Sequence, residues 1–172
     1  AKKNNNDDMI KYLSGMKDFM LNPKEYSTTG NQEIDGVLNY MLQKANETLN
    51  QVDVQINIPE DLYFNNFNIC VILGNLVDNA VREASKSKEK LLTIKMQIKQ
   101  EVLLIFIENS YSGKILEKRN GLQTTQPELA IHGIGLENVK KVVIANGGEI
   151  KIDYTSNRFC VQVLLYMSRI KN

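Results

Sequence analysis

Apolar residues recur along this chain with two different periods, and the change of period marks the predicted elements. Four segments have the three-to-four-residue spacing of an amphipathic helix. They are Met9–Leu21, Ile34–Leu49, Phe67–Lys86 and Gly133–Asn146. Five further segments alternate between apolar and polar residues or run apolar, as strands do. They are Val54–Ile58, Leu92–Ile98, Val102–Ile107, Ile150–Tyr154 and Phe159–Leu165. The pattern predicts an α+β fold.

Short links join two pairs of the predicted strands. Lys99–Glu101 connects one pair and Thr155–Asn157 connects the other, so each pair is expected to form an antiparallel hairpin. We therefore expect a two-layer α/β sandwich, with a largely antiparallel sheet of about five strands and the helices on one face. Residues 110–132 show little apolar rhythm, and a loop of this length inside a compact domain is usually functional or disordered.

The composition fits one ordinary globular domain. The chain has 172 residues, 42% of them hydrophobic and 24% charged, which suffices for one core but not for two domains. There are 21 Lys and Arg against 20 Asp and Glu, a net charge of +1. Because nucleic-acid binding needs a basic excess to neutralise phosphates, no nucleic-acid partner is expected. No apolar run approaches the roughly 20 residues that span a bilayer.

The cysteines and the single histidine restrict the kinds of site that are possible. Cys70 and Cys160 lie in apolar segments, so they are predicted to be reduced core thiols of a cytoplasmic protein rather than zinc ligands or a disulfide. His132 is the one histidine in the sequence, which excludes a metal site built from several histidines.

Polar side chains cluster on one side of the predicted helix Phe67–Lys86. At 100° per residue, Asp78, Asn79 and Arg82 all fall within about 60° of Asn75. The apolar residues of the same stretch share the opposite side. They are Leu73, Leu76, Val77, Ala80 and Ala84. One side of this helix is therefore predicted to pack on the sheet, and the other to present two amides, a carboxylate and a guanidinium.

Two interpretations of this polar face remain open. It could be the solvent side of an amphipathic helix, although Asn and Asp are mediocre helix formers and such faces more often carry Glu, Lys and Gln. It could also be a Mg²⁺–phosphate site, because Mg²⁺ on a nucleotide keeps several waters and takes only one or two protein oxygens. In that case a neutral Asn carbonyl would supply an oxygen, and Arg82 would neutralise phosphate.

Two glycines, Gly133 and Gly135, are expected where the long loop meets the helix Gly133–Asn146. Glycine lets backbone N–H groups approach an anion closely, and a helix N-terminus adds unpaired donors and a favourable dipole. Taken alone, such a pair is also typical of an ordinary loop-to-helix turn. Asn109, after the strand Val102–Ile107, could likewise be a simple turn residue.

In their order and spacing these motifs resemble the GHKL, or Bergerat-type, ATP-binding fold of histidine kinases, gyrase and MutL. Asn75-Leu-Val-Asp-Asn79-Ala is similar to its N-box, and Glu108-Asn109-Ser110 stands where that fold has its first glycine box. His132-Gly-Ile-Gly-Leu136 is similar to the second glycine box, and Gly147–Ile150 to the glycine that enters the last hairpin.

The resemblance is strongest to the catalytic ATP-binding domain of sensor histidine kinases. Within them it is closest to the peptide-sensing, quorum-type kinases, whose lid carries a T-T-K or S-T-K tripeptide. Thr124-Thr125-Gln126 stands at that position here. The helix Ile34–Leu49, preceded by Gly30-Asn31, is similar to the segment that these kinases place just before the domain.

The resemblance implies ATP and Mg²⁺ as cofactors and assigns roles to individual residues. Asn79 would ligate Mg²⁺, Asn75 would lie beside the phosphates, and Arg82 would contact them. Asn109 would accept from the adenine amino group. Gly133 and Gly135 would cradle phosphate through backbone N–H groups. The whole set expected along the glycine box and lid is Thr124, Thr125, His132, Gly133, Ile134, Gly135 and Leu136.

The sequence departs from the family pattern at several positions. Asn109 replaces the usual Asp and so lacks the charge that strengthens the bond to adenine. The D-x-G motif is absent, Glu83 replaces an aromatic residue after Arg82, and Gln126 lacks the charge of the lid lysine. ATP-hydrolysing relatives have a Glu as general base at the position of Asn75. Because Asn cannot accept a proton, phosphoryl transfer is favoured over hydrolysis.

The family also implies a division of the chain and a set of partners. Residues 1–30 are expected to be a polar tail and a helix, a possible remnant of the dimerisation region, and residues 31–172 the ATP-binding catalytic domain. The γ-phosphate would go to a histidine on a dimerisation helix of the same kinase, a homodimer at full length, and then to a response regulator. His132 is not expected to be that acceptor. The chain is thus expected to be a cytoplasmic domain of a membrane-anchored kinase.

Two other functions remain open. The first is a serine kinase of the anti-sigma type, which has the same fold but lacks the helical segment seen here at residues 30–49. The second is an interaction module that does not depend on nucleotide. This hypothesis remains open because Asn109 replaces the Asp that usually binds adenine.

Overall fold

Three helices and a five-stranded sheet make up most of the computed structural model, which describes residues 27–112, 115–118, 121–124 and 130–166. The helices are α1 (Gln32–Thr48), α2 (Asn66–Lys86) and α3 (Ala130–Ala145). The strands are β1 (Gln51–Asn57), β2 (Leu91–Lys99), β3 (Val102–Ser110), β4 (Ile115–Lys118), β5 (Gly121–Thr124), β6 (Glu149–Tyr154) and β7 (Arg158–Tyr166). The predicted helix Met9–Leu21 lies outside the described residues.

The main sheet has the strand order β1-β2-β3-β7-β6. Both predicted hairpins, β2–β3 and β6–β7, are confirmed as antiparallel pairs, and β3 also pairs antiparallel with β7. β1 runs parallel to β2, which the sequence pattern did not predict. The parallel pairing follows from the connection, because α2 carries the chain back across the sheet between these two strands.

The core lies between the helices and one face of the sheet. Register places the apolar residues of the central strands side by side, with Ile94 opposite Ile107 and Ile105 opposite Val163. The strand residues buried on this face are Leu92, Ile94, Met96, Leu103, Ile105, Ile107, Val161, Val163 and Leu165. α1 and α2 cover them with side chains that include Leu38, Leu42, Ile72 and Leu73, all fully buried. The predicted two-layer α+β sandwich is therefore confirmed.

Side-chain amides fix the start of α1. Asn31 caps the helix, because its Oδ1 accepts from the backbone N–H of Ile34 at 3.2 Å. Asn39 is buried about two turns further on, where Oδ1 accepts from the Ser27 N–H at 2.7 Å and Nδ2 donates to the Ser27 carbonyl at 2.9 Å. These bonds hold the incoming chain against α1, so α1 is an integral part of the fold.

The end of α3 fixes how the chain enters β6. The Gly148 N–H donates to the Val143 carbonyl and the Gly147 N–H to the Ile144 carbonyl, each at 2.9 Å. This is the Schellman pattern, and Gly147 takes the left-handed φ of +67° that it requires. A side chain at Gly148 would clash, because its Cβ would lie 2.4 Å from the Leu164 carbonyl oxygen. Both glycines are thus needed to pack α3 on the sheet.

Residues 110–132 differ from the predicted loop. β3 extends to Ser110, and β4 and β5 pair as a small antiparallel sheet of their own. These strands are four residues long, too short to show a clear alternation in sequence. α3 begins at Ala130 and ends at Ala145, so the predicted start at Gly133 is wrong and both glycines of the motif lie inside the helix.

We found no helix within the described ranges that is long and apolar enough to cross a membrane.

Candidate functional site

A cavity of about 490 Å³ lies between α1, α2 and α3 on the side of α2 that faces away from the sheet. All three helices contribute to its wall. The lining residues are Tyr40, Met41 and Lys44 of α1, Cys70, Val71, Gly74, Asn75, Asp78, Asn79 and Arg82 of α2, and Gly135 and Asn138 of α3. The amide face of α2 and the glycine-containing part of α3 therefore border the same cavity.

The two faces of α2 are divided as its sequence predicts. The apolar set Leu73, Leu76, Val77, Ala80 and Ala84 is buried, with at most 4% of any residue exposed. The polar residues Asn75, Asp78, Asn79 and Arg82 all line the cavity. Packing of the apolar face on the sheet thus directs four polar side chains into one concave site.

Asn75 lies directly against α3. Its Nδ2 donates to the Val71 carbonyl at 2.8 Å, which ties the amide to its own helix. A methyl group placed on Gly135 would lie 3.4 Å from Asn75 Oδ1, so this oxygen faces the glycine. The absence of a side chain at Gly135 leaves the wall of the cavity open at the Asn75 amide.

Arg82 and Asn79 are bonded to each other. The Arg82 guanidinium donates from Nη2 to Asn79 Oδ1 at 2.8 Å and from Nη1 to Asp78 Oδ2 at 3.2 Å. Its Nε lies 3.9 Å from a carboxylate oxygen of Glu83. The side-chain oxygen that the family resemblance assigns to Mg²⁺ therefore accepts a hydrogen bond from the predicted phosphate-binding residue.

Lys44 joins this network from α1. Its Nζ lies 3.0 Å from Asp78 Oδ1, so the two carboxylate oxygens of Asp78 contact two different cations. The sequence pattern did not predict several of the cavity residues, namely Tyr40, Met41, Lys44, Cys70, Val71, Gly74 and Asn138. Helical periodicity shows which side of α1 is apolar, but not which neighbouring helix its polar flank adjoins.

Asn109 lies apart from the residues that line the cavity. It is 3% exposed at the end of β3, on the same face of the sheet as Ile105 and Ile107. Its Nδ2 donates to the Ser110 carbonyl at 2.9 Å. The helix side of the sheet is therefore where Asn109 presents its amide, and its predicted contact with adenine stays a prediction.

The glycine-box residues all fall within α3. The first four N–H groups of a helix have no partner inside it. Gly133 is the fourth described residue of α3 and Gly135 the sixth, so Gly133 lies closer to the N-terminal end of the described helix than Gly135. His132 and Ile134 are in the first two turns, and Leu136 packs against the core. Thr124 ends β5, and Thr125 lies outside the described residues.

The side-chain oxygens of the cavity fit a metal ion that is already bound to the phosphates of a nucleotide. Among the described residues no group of three or more His, Cys, Asp or Glu side chains is placed to hold a metal ion. A nucleotide-bound Mg²⁺ needs only one or two protein oxygens. Asn79 could supply such an oxygen through Oδ1, which accepts from Arg82, and Lys44 lines the same cavity.

The residues that form this cavity lie largely within a segment that matches a known protein family. The sequence pattern described as the GHKL domain matches residues 64–166, which contain α2, the main sheet after β1, and α3. The chain belongs to the GHKL domain family. A GHKL domain binds ATP, as the resemblance of its N-box implied. No curated protein sequence matches the chain.

Several solved structures of histidine kinases have a similar fold. The histidine kinase AdeS of Acinetobacter baumannii is 18% identical with a TM-score of 0.60, over 93% of this chain and 76% of that one. The catalytic domain of the histidine kinase ThkA is 17% identical with a TM-score of 0.59, over 81% and 93%. The mycobacterial sensor histidine kinase MprB is 15% identical with a TM-score of 0.54, over 77% and 95%. At these identities the likeness concerns the fold.

Proposed function

We propose that this GHKL domain binds Mg·ATP in the cavity between α2 and α3 and acts as the catalytic domain of a sensor histidine kinase. The observation that carries the proposal is the convergence of Asn75, Asn79 and Arg82 on one cavity wall, opposite Gly135. The two amide oxygens and the guanidinium are groups that suit a metal-chelated triphosphate, and the missing side chain at Gly135 leaves space for it beside α3.

Each residue of the wall has a distinct task in this proposal. Asn79 Oδ1 would hold Mg²⁺, and Arg82 would leave Asn79 to neutralise phosphate oxygens. The Mg²⁺ would supply charge neutralisation at the phosphates during transfer. Gly133 would offer its backbone N–H near the start of α3, and Gly135 would keep side-chain atoms out of the space beside Asn75.

Asn109 would accept a hydrogen bond from the adenine amino group through its side-chain oxygen. Its Nδ2 is held by the Ser110 carbonyl, and this bond orients the amide. A neutral acceptor makes a weaker bond than a carboxylate. We therefore expect adenine to contribute less to affinity here than in relatives that have Asp at this position. His132, Ile134 and Leu136, with Thr124 and Thr125, would border the nucleotide.

Phosphoryl transfer to a protein side chain is favoured over hydrolysis. Asn75 is a neutral amide whose nitrogen is bonded to the Val71 carbonyl, so it cannot take a proton from water. The acceptor would be a histidine on a dimerisation helix of the same kinase, with relay to a response-regulator aspartate. The kinase would be a quorum-type, membrane-anchored homodimer, with this domain in the cytoplasm.

Calorimetric titration tests the binding part of the proposal. The chain should release or absorb heat with a non-hydrolysable ATP analogue in the presence of Mg²⁺, and Asn79→Ala should weaken that binding. The absence of any binding heat, together with unchanged behaviour of Asn79→Ala, would favour an interaction module that does not depend on nucleotide.

The chemistry is tested with γ-labelled ATP and the acceptor-helix fragment of the same kinase. Acid-labile label on histidine is expected, and it should be transferable to a response regulator. Acid-stable label on serine would instead identify a serine kinase of the same fold, and release of free phosphate without a labelled protein would identify an ATPase.

A further inference from the structure

Asp78 forms ion pairs with two cations in the wall of the candidate nucleotide site. Lys44 Nζ lies 3.0 Å from its Oδ1, and Arg82 Nη1 lies 3.2 Å from its Oδ2. Arg82 is on the same helix as Asp78, one turn away, whereas Lys44 reaches it from α1. A lysine from a different helix is thus brought next to the guanidinium that the proposed function assigns to phosphate.

The ion pair of Lys44 and Asp78 contributes little to the packing of α1 on α2. Their side chains are 54% and 40% exposed, and pairs that exposed stabilise proteins by about 0–1 kcal/mol. The contact between the helices is instead apolar, because Ile34, Leu38 and Leu42 of α1 are fully buried. A role in holding the helices together therefore does not account for a lysine in the cavity wall.

The charges of the lining residues suit an anion. Among the residues that the structure describes, the charged members of the cavity wall are Lys44, Asp78 and Arg82, and together they have one net positive charge. An entering phosphate would compete with the Asp78 carboxylate for both cations. Because the Lys44 ammonium is a compact charge on a flexible stem, it can move from Asp78 to a phosphate oxygen without any movement of α1.

We propose that Lys44 is a second phosphate-binding cation of this site, held at the cavity by Asp78 until the anion arrives. This inference rests on the proposed function, since it assigns a further residue to the same nucleotide site. It makes α1 part of the binding site, although α1 lies outside the segment, residues 64–166, that matches the family pattern.

The chain offers a matched control for the test. Lys151 on β6 pairs with Asp153 at 2.9 Å, nearly the distance of the pair formed by Lys44 and Asp78, and it is also well exposed. It does not line the cavity. Lys44→Met and Lys151→Met therefore remove the same charge and the same kind of ion pair, at the site and away from it.

Each variant is titrated by calorimetry with ATP and with inorganic tripolyphosphate, both in the presence of Mg²⁺. We expect Lys44→Met to bind both ATP and tripolyphosphate about tenfold more weakly than the parent chain does. Lys151→Met should bind both ligands as tightly as the parent chain. Lys44→Arg should recover most of the affinity. The difference between Lys44→Met and the parent chain should shrink at high salt, because screening weakens the contact between charges.

The outcomes separate this inference from the proposed function. If the parent chain binds neither ligand, the proposed function and this inference both fail. If the parent chain binds and Lys44→Met stays within about twofold of Lys151→Met, only the role of Lys44 is overturned. The same holds if Lys44→Met weakens binding only in proportion to a lower melting temperature, without salt dependence, since that result indicates a structural role.

Discussion

Arg82 donates a hydrogen bond from Nη2 to Asn79 Oδ1 at 2.8 Å. The two residues with the most specific predicted roles, one toward metal and one toward phosphate, thus partner each other. Neither side chain must be desolvated without a partner, and both already point into the cavity. In the proposed function, binding of a metal-chelated phosphate would exchange this internal bond for two bonds to the ligand.

Asn79→Ala should remove the metal-dependent part of ATP binding. The variant loses the oxygen proposed for Mg²⁺, so we expect affinity for Mg·ATP to fall about tenfold or more. With excess chelator, variant and parent should bind ATP within about threefold of each other. Asn46→Ala is the control, because Asn46 is an exposed amide on α1 bonded to its own helix. Equal losses with and without Mg²⁺ would argue against a metal ligand at Asn79.

Gly135→Ala should make the chain more stable and a poorer binder at the same time. Replacing a glycine inside a helix by alanine stabilises by about 0.5–1 kcal/mol, and the new methyl would make an ordinary contact, 3.4 Å, with Asn75 Oδ1. That methyl also fills the opening beside Asn75, so affinity for the ATP analogue should fall.

Gly36→Ala on α1 provides the comparison for Gly135→Ala, because nothing lies within 4 Å of the added methyl. It should raise the midpoint of denaturant unfolding by a similar amount and leave affinity unchanged. A Gly135→Ala variant that binds nucleotide as well as Gly36→Ala does would show that the gap beside Asn75 is not used.

The sequence predicts those parts of the fold that depend on one element or on two elements joined by a short link. The apolar face of α2 follows from the spacing of Leu73, Leu76 and Val77, and the hairpins follow from their short links. The parallel pairing of β1 with β2 depends on where α2 crosses the sheet, which spacing does not encode. β4 and β5 are too short for their alternation to be read.

The candidate site shows the same division. Asn75, Asn79 and Arg82 could be placed together because they lie one turn apart on one helix. Lys44 could not, since its neighbourhood depends on how α1 packs beside α2. The predicted helix Gly133–Asn146 already contained Gly135, but the sequence did not show that α3 also includes the three residues before Gly133.

Glu89→Gln should destabilise the chain at neutral pH but not in acid. Arg158 donates to Glu89 Oε2 at 2.5 Å and Asn157 to Oε1 at 2.9 Å. These bonds, led by that from Arg158, lower the pKa of Glu89 below its ordinary value. A lowered pKa in the folded state means that the carboxylate stabilises the fold above its ordinary pKa, and that this stabilisation disappears as the pH falls through the folded value.

Denaturant unfolding of the parent chain, Glu89→Gln, Arg158→Gln and the double variant between pH 7 and pH 3 checks this. The single variants should lose similar stability at pH 7, and the double variant little more, because all three lack the same contact. The gap between Glu89→Gln and the parent should close toward pH 3. A gap that is constant across this range would mean that the ionised form of Glu89 is not what stabilises the fold.

The two cysteines should respond differently to nucleotide, because they lie on opposite sides of the sheet. Cys70 is half-buried on α2 and lines the cavity. Cys160 is buried on β7, on the face that the helices do not cover. Burial raises the pKa of both thiols, with the charge of Glu33 adding to the effect at Cys70, so both should react slowly with an alkylating reagent at pH 7.

Mg·ATP at about ten times its Kd should slow alkylation of Cys70 about tenfold, since the cavity is then about nine-tenths occupied. The rate at Cys160 should stay the same, which mass spectrometry of the two peptides can measure in a single sample. Equal protection of both thiols would instead indicate that nucleotide stabilises the whole fold, and no protection of Cys70 under saturating ligand would place the nucleotide outside this cavity. Cys70→Ser, which retains only Cys160, shows whether that thiol reacts independently.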